Sequence, residues 1–205
     1  MVQPRFAKLP QQQQQAILRS ALDEFAAHGF RDASLNRVIE AAGISKGSMY
    51  YYFEGKADLY TYVARTESAE LFAAVGPLPD LDRGGADEFW AALEGYYLRV
   101  MRALVAAPRL AALLRGWIAA SKDPTFQRAM IEAEQAALPW IQQALATGQR
   151  VGAVRQDLPP TLLITVIVGM GEAMDLWLVS QQPDDDELPP LIAALVSMIR
   201  GAVGA

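Results

Sequence analysis

The sequence contains no cysteine and a single histidine, His28. The first absence excludes a disulfide framework and any thiolate metal site; the second excludes a multi-histidine centre. No metal and no cofactor is therefore expected. The chain also lacks a G-x-S-x-G elbow and a G-x-x-x-x-G-K-[ST] phosphate loop, so no catalytic residues are assigned and an enzyme is not expected. Gly169-Met170-Gly171 is a lone G-x-G inside an apolar helical run and reads as small residues that permit close helix packing. Long clean apolar runs are missing too. Leu162–Val179 is interrupted by Glu172 and Asp175 and leaves about ten uninterrupted apolar residues, against the ~20 that a membrane span needs. It reads as a helix surrounded by protein. The first twenty residues carry Arg5, Lys8 and the run Gln11–Gln15 instead of a signal peptide, so a cytoplasmic protein with no membrane partner is expected.

Positive charge is scarce: 18 Lys and Arg against 23 Asp and Glu leave a net charge of −5. The deficit is uneven. Residues 1–60 carry a net +1 and the remainder a net −6. A nucleic-acid contact, if there is one, belongs to the N-terminal part.

The punctuation predicts helices throughout, with no alternating segments between paired turn signals. Ile17, Leu18, Ala21, Leu22 and Phe25 mark one helix face after Pro10, and Gly29 stands where a helix C-cap would fall. His28 there is read as a helix-end residue interacting with the last carbonyls. Ser34 precedes a short apolar face at Leu35, Val38, Ile39 and Ala42, and Ser45 caps a third short segment to about Tyr52. Lys56 opens a longer helix to about Val75. After the loop Gly76–Gly85, helices are expected over about 86–107, 109–121, 124–148 (kinked at Pro139), 161–181 and 188–203.

Residues 34–56 read SLNRVIEAAGISKGSMYYYFEGK. Two short helices joined by a tight glycine turn have the geometry of a helix-turn-helix, whose second helix enters the major groove of DNA. Ala41 and Ala42 allow close approach, Gly43 turns the chain and Ile44 plugs the junction. Met49 and Phe53, four apart, face inward, which leaves Lys46, Gly47, Ser48, Tyr50 and Tyr51 outward.

The stretch AAGISKGSMYYYF, with Lys56 three residues on, closely resembles the signature of the tetracycline-repressor (TetR) family, and ALDEFAAHGF resembles that family's first helix. The resemblance spans about residues 14–60. It implies an all-α chain with a three-helix DNA-binding domain at 1–56 and a larger helical effector-binding and dimerisation domain at 57–205. It implies further that Lys46 and Gly47 approach base edges and Tyr50 lies against bases. Tyr51, Tyr52 and Lys56 would meet phosphates, with Ser34, Ser45 and Ser48 at or near the backbone. Tyr52 stands where the family more often has His, and the glutamine run replaces a usually basic start.

The implied partners are double-stranded operator DNA, a small, largely apolar effector, and a second copy of the chain docked through the last two helices. The function implied is that of a repressor released from a pseudopalindromic operator by its effector. Helical aromatics between the two regions, Phe89, Trp90, Tyr96, Tyr97, Trp117 and Trp140, are candidate pocket residues. Glu172 and Asp175 join them, because a carboxylate on an apolar helix must be paired or face a polar group. Their alternative is an ion pair with Arg99, Arg102 or Arg115, or exposure at the helix rim. A helical binding protein that leaves its helix-turn-helix unused is the competing reading.

Overall fold

A computed structural model describes residues 5–119 and 124–205; the side chains at 117–119 and 124–136 lie outside this description. Among the described residues there are nine α-helices and no strand: α1 (Gln11–Asp32), α2 (Leu35–Ala41), α3 (Lys46–Tyr52), α4 (Lys56–Val75), α5 (Ala86–Val105), α6 (Pro108–Ala119), α7 (Pro124–Arg150), α8 (Pro160–Gln181) and α9 (Leu188–Val203). A single 3-10 turn, Phe6–Lys8, precedes α1. Pro139 lies inside α7, and the helix continues past it.

The chain divides into two compact units. One comprises Met1–Glu70 and Ala107–Ile131, the other Leu71–Ala106 and Glu132–Ala205. The first unit thus holds the helix-turn-helix together with α6 and most of α4.

In the N-terminal unit, α1 buries Ile17, Ala21, Leu22 and Phe25, the i, i+4, i+5, i+8 stripe that a 3.6-residue period places on one face. Gly29 interrupts α1 with φ 65° and ψ −179°, a backbone state that glycine reaches at little cost. Helix α1 packs on α2 and α6. Tyr60 of α4 is fully buried, edge-on to Phe25 at 4.7 Å and Phe30 at 5.5 Å, and its hydroxyl donates to the Leu113 carbonyl of α6. That burial pushes the phenol well above its ordinary pKa.

The C-terminal unit is built on α5 against α9, with α8 alongside α9. Phe89, Trp90, Met101 and Leu104 of α5 and Leu188, Ile192, Val196 and Val203 of α9 are buried. The chain after α7 runs antiparallel to the C-terminus: Arg155 N–H donates to Val203 O at 3.0 Å and Ala205 N–H to Ala153 O at 3.3 Å. Trp90 Nε1 donates to the same Ala153 carbonyl. Ion pairs Arg102–Asp185, Arg200–Asp87 and Arg150–Asp82 ring the unit. Exposed pairs of this kind stabilise by about 0–1 kcal/mol each.

Helix α8 departs from expectation. It is long and apolar enough to cross a membrane by length and composition, yet only 22% of its most apolar window is buried within the chain. One face borders a cavity described below, and the opposite face, with Leu162 and Leu176 exposed, is uncovered in the single chain. Nor do Gly169 and Gly171 serve close packing inside the chain, because a Cβ at either would meet nothing within 4 Å.

Candidate nucleic-acid interface and effector cavity

The turn between α2 and α3 is held by backbone chemistry. Gly43 has φ 65°, its N–H donates to Glu40 O at 3.1 Å, and the Ile44 N–H reaches back to Ile39 O at 3.2 Å. These two bonds form a Schellman cap, which satisfies carbonyls that the end of α2 would otherwise leave unpaired. Ser45 then caps α3, its hydroxyl oxygen accepting from Ser48 N–H at 3.0 Å and lying 2.8 Å from the Ser48 hydroxyl.

Met49 and Phe53 are buried to 0% and 1% exposure, whereas Tyr50 and Tyr51 keep 51% and 50%. Lys46 and Gly47 are exposed as well, and Ser48 and Tyr52 are half-buried. The inward pair fixes the rotation of α3 about its axis, and so fixes which side chains point out.

Two further contacts hold this short helix in place. Phe6, fully buried, packs on Phe53 at 4.9 Å and on Tyr62 at 5.4 Å, and meets Tyr52 edge-on at 6.0 Å. The Arg5 guanidinium lies over the Tyr51 ring at 4.4 Å. Sequence reasoning missed both residues. Their only signal is an aromatic and a cation in an otherwise polar stretch ahead of Pro10. The second anchor is Glu24 of α1, whose carboxylate accepts from Ser34 N–H at 2.7 Å and from Arg37 Nε at 2.9 and 3.0 Å. The Arg37 hydrogen bond, opposed by burial and aided by the Ser34 N–H, holds the Glu24 carboxyl below its ordinary pKa.

Three expectations change in detail. Ser34 occupies the N-cap position of α2, but its side chain makes no cap hydrogen bond. His28 lies 3.7 Å from Glu24, one turn back, rather than at the helix-end carbonyls. Lys56 Nζ donates to the carbonyls of Arg31 and Ala33 at 2.9 and 3.0 Å and sits 4.8 Å above the Phe30 ring. Two of its three ammonium protons thus tie the start of α4 to the end of α1, and one remains for an outside acceptor.

The C-terminal unit holds a cavity, open on one side, of about 330 Å³, at the lower end of the ~300–1,000 Å³ typical of small-molecule sites. Its wall includes Phe89, Trp90, Tyr96, Tyr97 and Trp140, together with Asp175. Of the remaining candidates, Glu172 is exposed and does not line the cavity, and the side chain of Trp117 lies outside the described residues. Asp175 Oδ1 accepts from the Tyr97 hydroxyl at 2.6 Å. Its partner is this phenol rather than an arginine: Arg102 is engaged by Asp185, and Arg99 bonds Gly95 O and lies over Tyr96. Asp175 keeps accessible surface, but what surrounds it is largely hydrocarbon, so desolvation pushes its carboxyl above the usual range. The Tyr97 hydrogen bond opposes that rise and the Glu172 charge adds to it.

A short outward-facing helix after a glycine turn, in an all-helical chain with a separate apolar cavity, defines the class of helix-turn-helix regulators. Residues 17–63 match the profile of bacterial regulatory proteins, tetR family. The chain is 27% identical over 157 residues to the HTH-type transcriptional repressor AcnR of Corynebacterium diphtheriae, covering 75% of this chain and 74% of that one. Among solved structures it resembles a TetR family transcriptional regulator from Chloroflexus aurantiacus (TM-score 0.61, 23% identity, 100% and 99% of the two chains). It also resembles the transcriptional regulator FadR from Bacillus subtilis in complex with stearoyl-CoA (TM-score 0.67, 17% identity, 90% and 96%).

Proposed function

We propose that the chain is a dimeric repressor that binds a pseudopalindromic operator through α3 and is released when a small, largely apolar effector enters the cavity of the C-terminal unit. The observation that carries the reading is the split on α3, where Met49 and Phe53 are wholly buried while Lys46, Gly47, Tyr50 and Tyr51 face outward. Lys46 supplies a donor for guanine O6 or N7. Tyr50 lies against bases. Tyr51 and Tyr52, with Ser34, Ser45, Ser48 and the remaining proton of Lys56, serve the phosphates, and Arg5 adds a cation beside Tyr51.

Dimerisation supplies the second reader. The outward faces of α8 and α9 expose Leu162, Leu176, Trp177 and Met198, apolar surface that a second copy would cover. A two-fold dimer would present its readers about 34–36 Å apart, one turn of duplex. The effector acts by binding one conformation better than the other, so operator DNA must weaken effector binding by the same factor.

The test is an anisotropy titration of labelled DNA from the chain's own promoter region. Lys46→Ala and Tyr50→Ala are expected to weaken specific binding, with affinity falling as salt rises. Specific binding untouched by both substitutions would remove α3 as the reader. Affinity for DNA that is absent at all salt concentrations would favour a binding protein with an unused helix-turn-helix.

A further inference from the structure

The cavity has one charged group in its wall, and the chemistry around it narrows what can bind. Ile167, Gly171, Met174 and Asp175 of α8 all line it, the i, i+4, i+7, i+8 positions of one helix face. Gly171 carries no side chain, and a Cβ there would meet nothing within 4 Å. The wall one turn before Asp175 is therefore open, which leaves the carboxylate accessible from inside the cavity. Among the described residues no cation pairs with it. Its one hydrogen bond comes from Tyr97, whose only proton is spent there. The indole N–H of Trp90 is likewise committed, to Ala153 O. The cavity thus offers a bare acceptor and aromatic faces, and few free donors.

We propose that this cavity selects a lipophilic cation, an organic amine or quaternary ammonium whose charge sits between Asp175 and the ring of Tyr97 while its apolar body lies among Phe89, Trp90 and Trp140. The inference rests on the reading of the cavity as the effector site and names the effector's chemistry. A cation restores the partner that the Asp175 carboxylate lacks, and the negative faces of aromatic rings attract the same charge. An acyl chain would suit the walls equally well, but a carboxylate head would meet Asp175 with like charge. A neutral ligand would leave the carboxylate unpaired.

The experiment uses the protein without DNA and reads the change in intrinsic tryptophan fluorescence, to which Trp90 and Trp140 in the cavity wall contribute, with calorimetry as a check. Three probes of one shape are compared: a benzyldimethylhexylammonium salt, its all-carbon neutral analogue, and a phenylalkanoate of equal length. The wild-type protein is expected to prefer the ammonium to the neutral analogue by about tenfold or more, the range a charge-assisted contact supplies. Asp175→Asn is expected to erase that preference while leaving the neutral analogue's affinity in place. Gly171→Leu, which fills the open wall, is expected to block both.

Equal or tighter binding of the neutral analogue or the carboxylate by the wild-type protein overturns the proposal. So does a preference that survives Asp175→Asn in a variant with an unchanged melting curve, or failure of all three probes to bind. The wild-type comparison stands without any variant having to fold. A separate DNA-release assay distinguishes the two levels. An ammonium that binds at Asp175 without releasing operator DNA sinks the effector reading alone, whereas release by carboxylates or neutral compounds only sinks the cation site alone.

Discussion

Glu24→Gln isolates the charge in the clamp that holds α2 against α1. In the native chain the carboxylate spans Ser34 N–H and the Arg37 guanidinium, with its side chain 9% exposed against 51% for Arg37. Glutamine keeps the shape and one acceptor oxygen for Ser34 but loses the charge that binds Arg37. Hydrogen bonds to charged groups contribute about 1.5–3 kcal/mol and neutral ones about 1. Because Arg37 is half in water, the lower end applies, and the loss is about 1 kcal/mol for Gln. For Glu24→Ala, which also strands the buried-side Ser34 N–H, it is about 2–3 kcal/mol. A chain of this size shifts in Tm by roughly 2–4 °C per kcal/mol, so circular dichroism melts at neutral pH should resolve the three proteins in the order wild type, Gln, Ala.

The pH dependence supplies the sharper check. The folded-state pKa of Glu24 lies below its ordinary 4.5, so the unfolded chain takes up its proton first as pH falls. The stabilisation is complete above 4.5 and drains away as pH drops through the folded value. The gap between wild type and Glu24→Gln should therefore close in acid. A gap of the same size well below pH 4.5, or none at neutral pH, would refute the clamp.

Three other experiments test separate parts of the structure. At Gly43 a Cβ meets nothing but φ is positive, so Gly43→Ala should destabilise by about 1–2 kcal/mol through backbone conformation alone and Gly43→Asn by less, measured by denaturant titration; equal costs would point to packing instead. A Cβ at Gly148 would fall 2.6 Å from Val154 Cγ2 and 2.8 Å from Phe89 Cζ, so Gly148→Ala should lose about 1–3 kcal/mol by overpacking, read from the melting curve. Leu176→Glu with Met198→Glu should yield monomers in analytical ultracentrifugation if α8 and α9 form the proposed interface, and an unchanged association state would remove it.

The helices were legible because their signals are local. Period 3.6 at Ile17, Ala21, Leu22 and Phe25, and the breakers Gly43, Pro108 and Pro124, state where helices run and stop with no knowledge of the partner surfaces. The outward residues of α3 were legible for the same reason, since Met49 and Phe53 four apart fix the face. Contacts distant in sequence were not. Nothing near Lys56 in the chain announces that its ammonium bonds carbonyls 23 and 25 residues earlier. Nothing near Asp175 singles out Tyr97, 78 residues away, over the arginines considered for it. Glu172 and Asp175 look alike in sequence and both are exposed, yet only Asp175 lies in the cavity wall.

The charge distribution then becomes intelligible as a division of labour. With a net of only +1 over residues 1–60, the proposed reader cannot draw its affinity mainly from neutralised phosphates. On that proposal hydroxyl donors would carry a larger share of it: Tyr50, Tyr51 and the serines around the turn would add hydrogen bonds without adding counterion release. Affinity built in this way depends on donors being held in register more than on long-range attraction. That explains why so short a helix is anchored by Phe6, Phe53 and Met49 beneath it, by a Schellman turn before it and by the Glu24–Arg37 clamp behind it. A reader rich in lysine could tolerate slack in its mounting; one that relied on tyrosine hydroxyls could not, because a hydrogen bond weakens steeply with distance and angle.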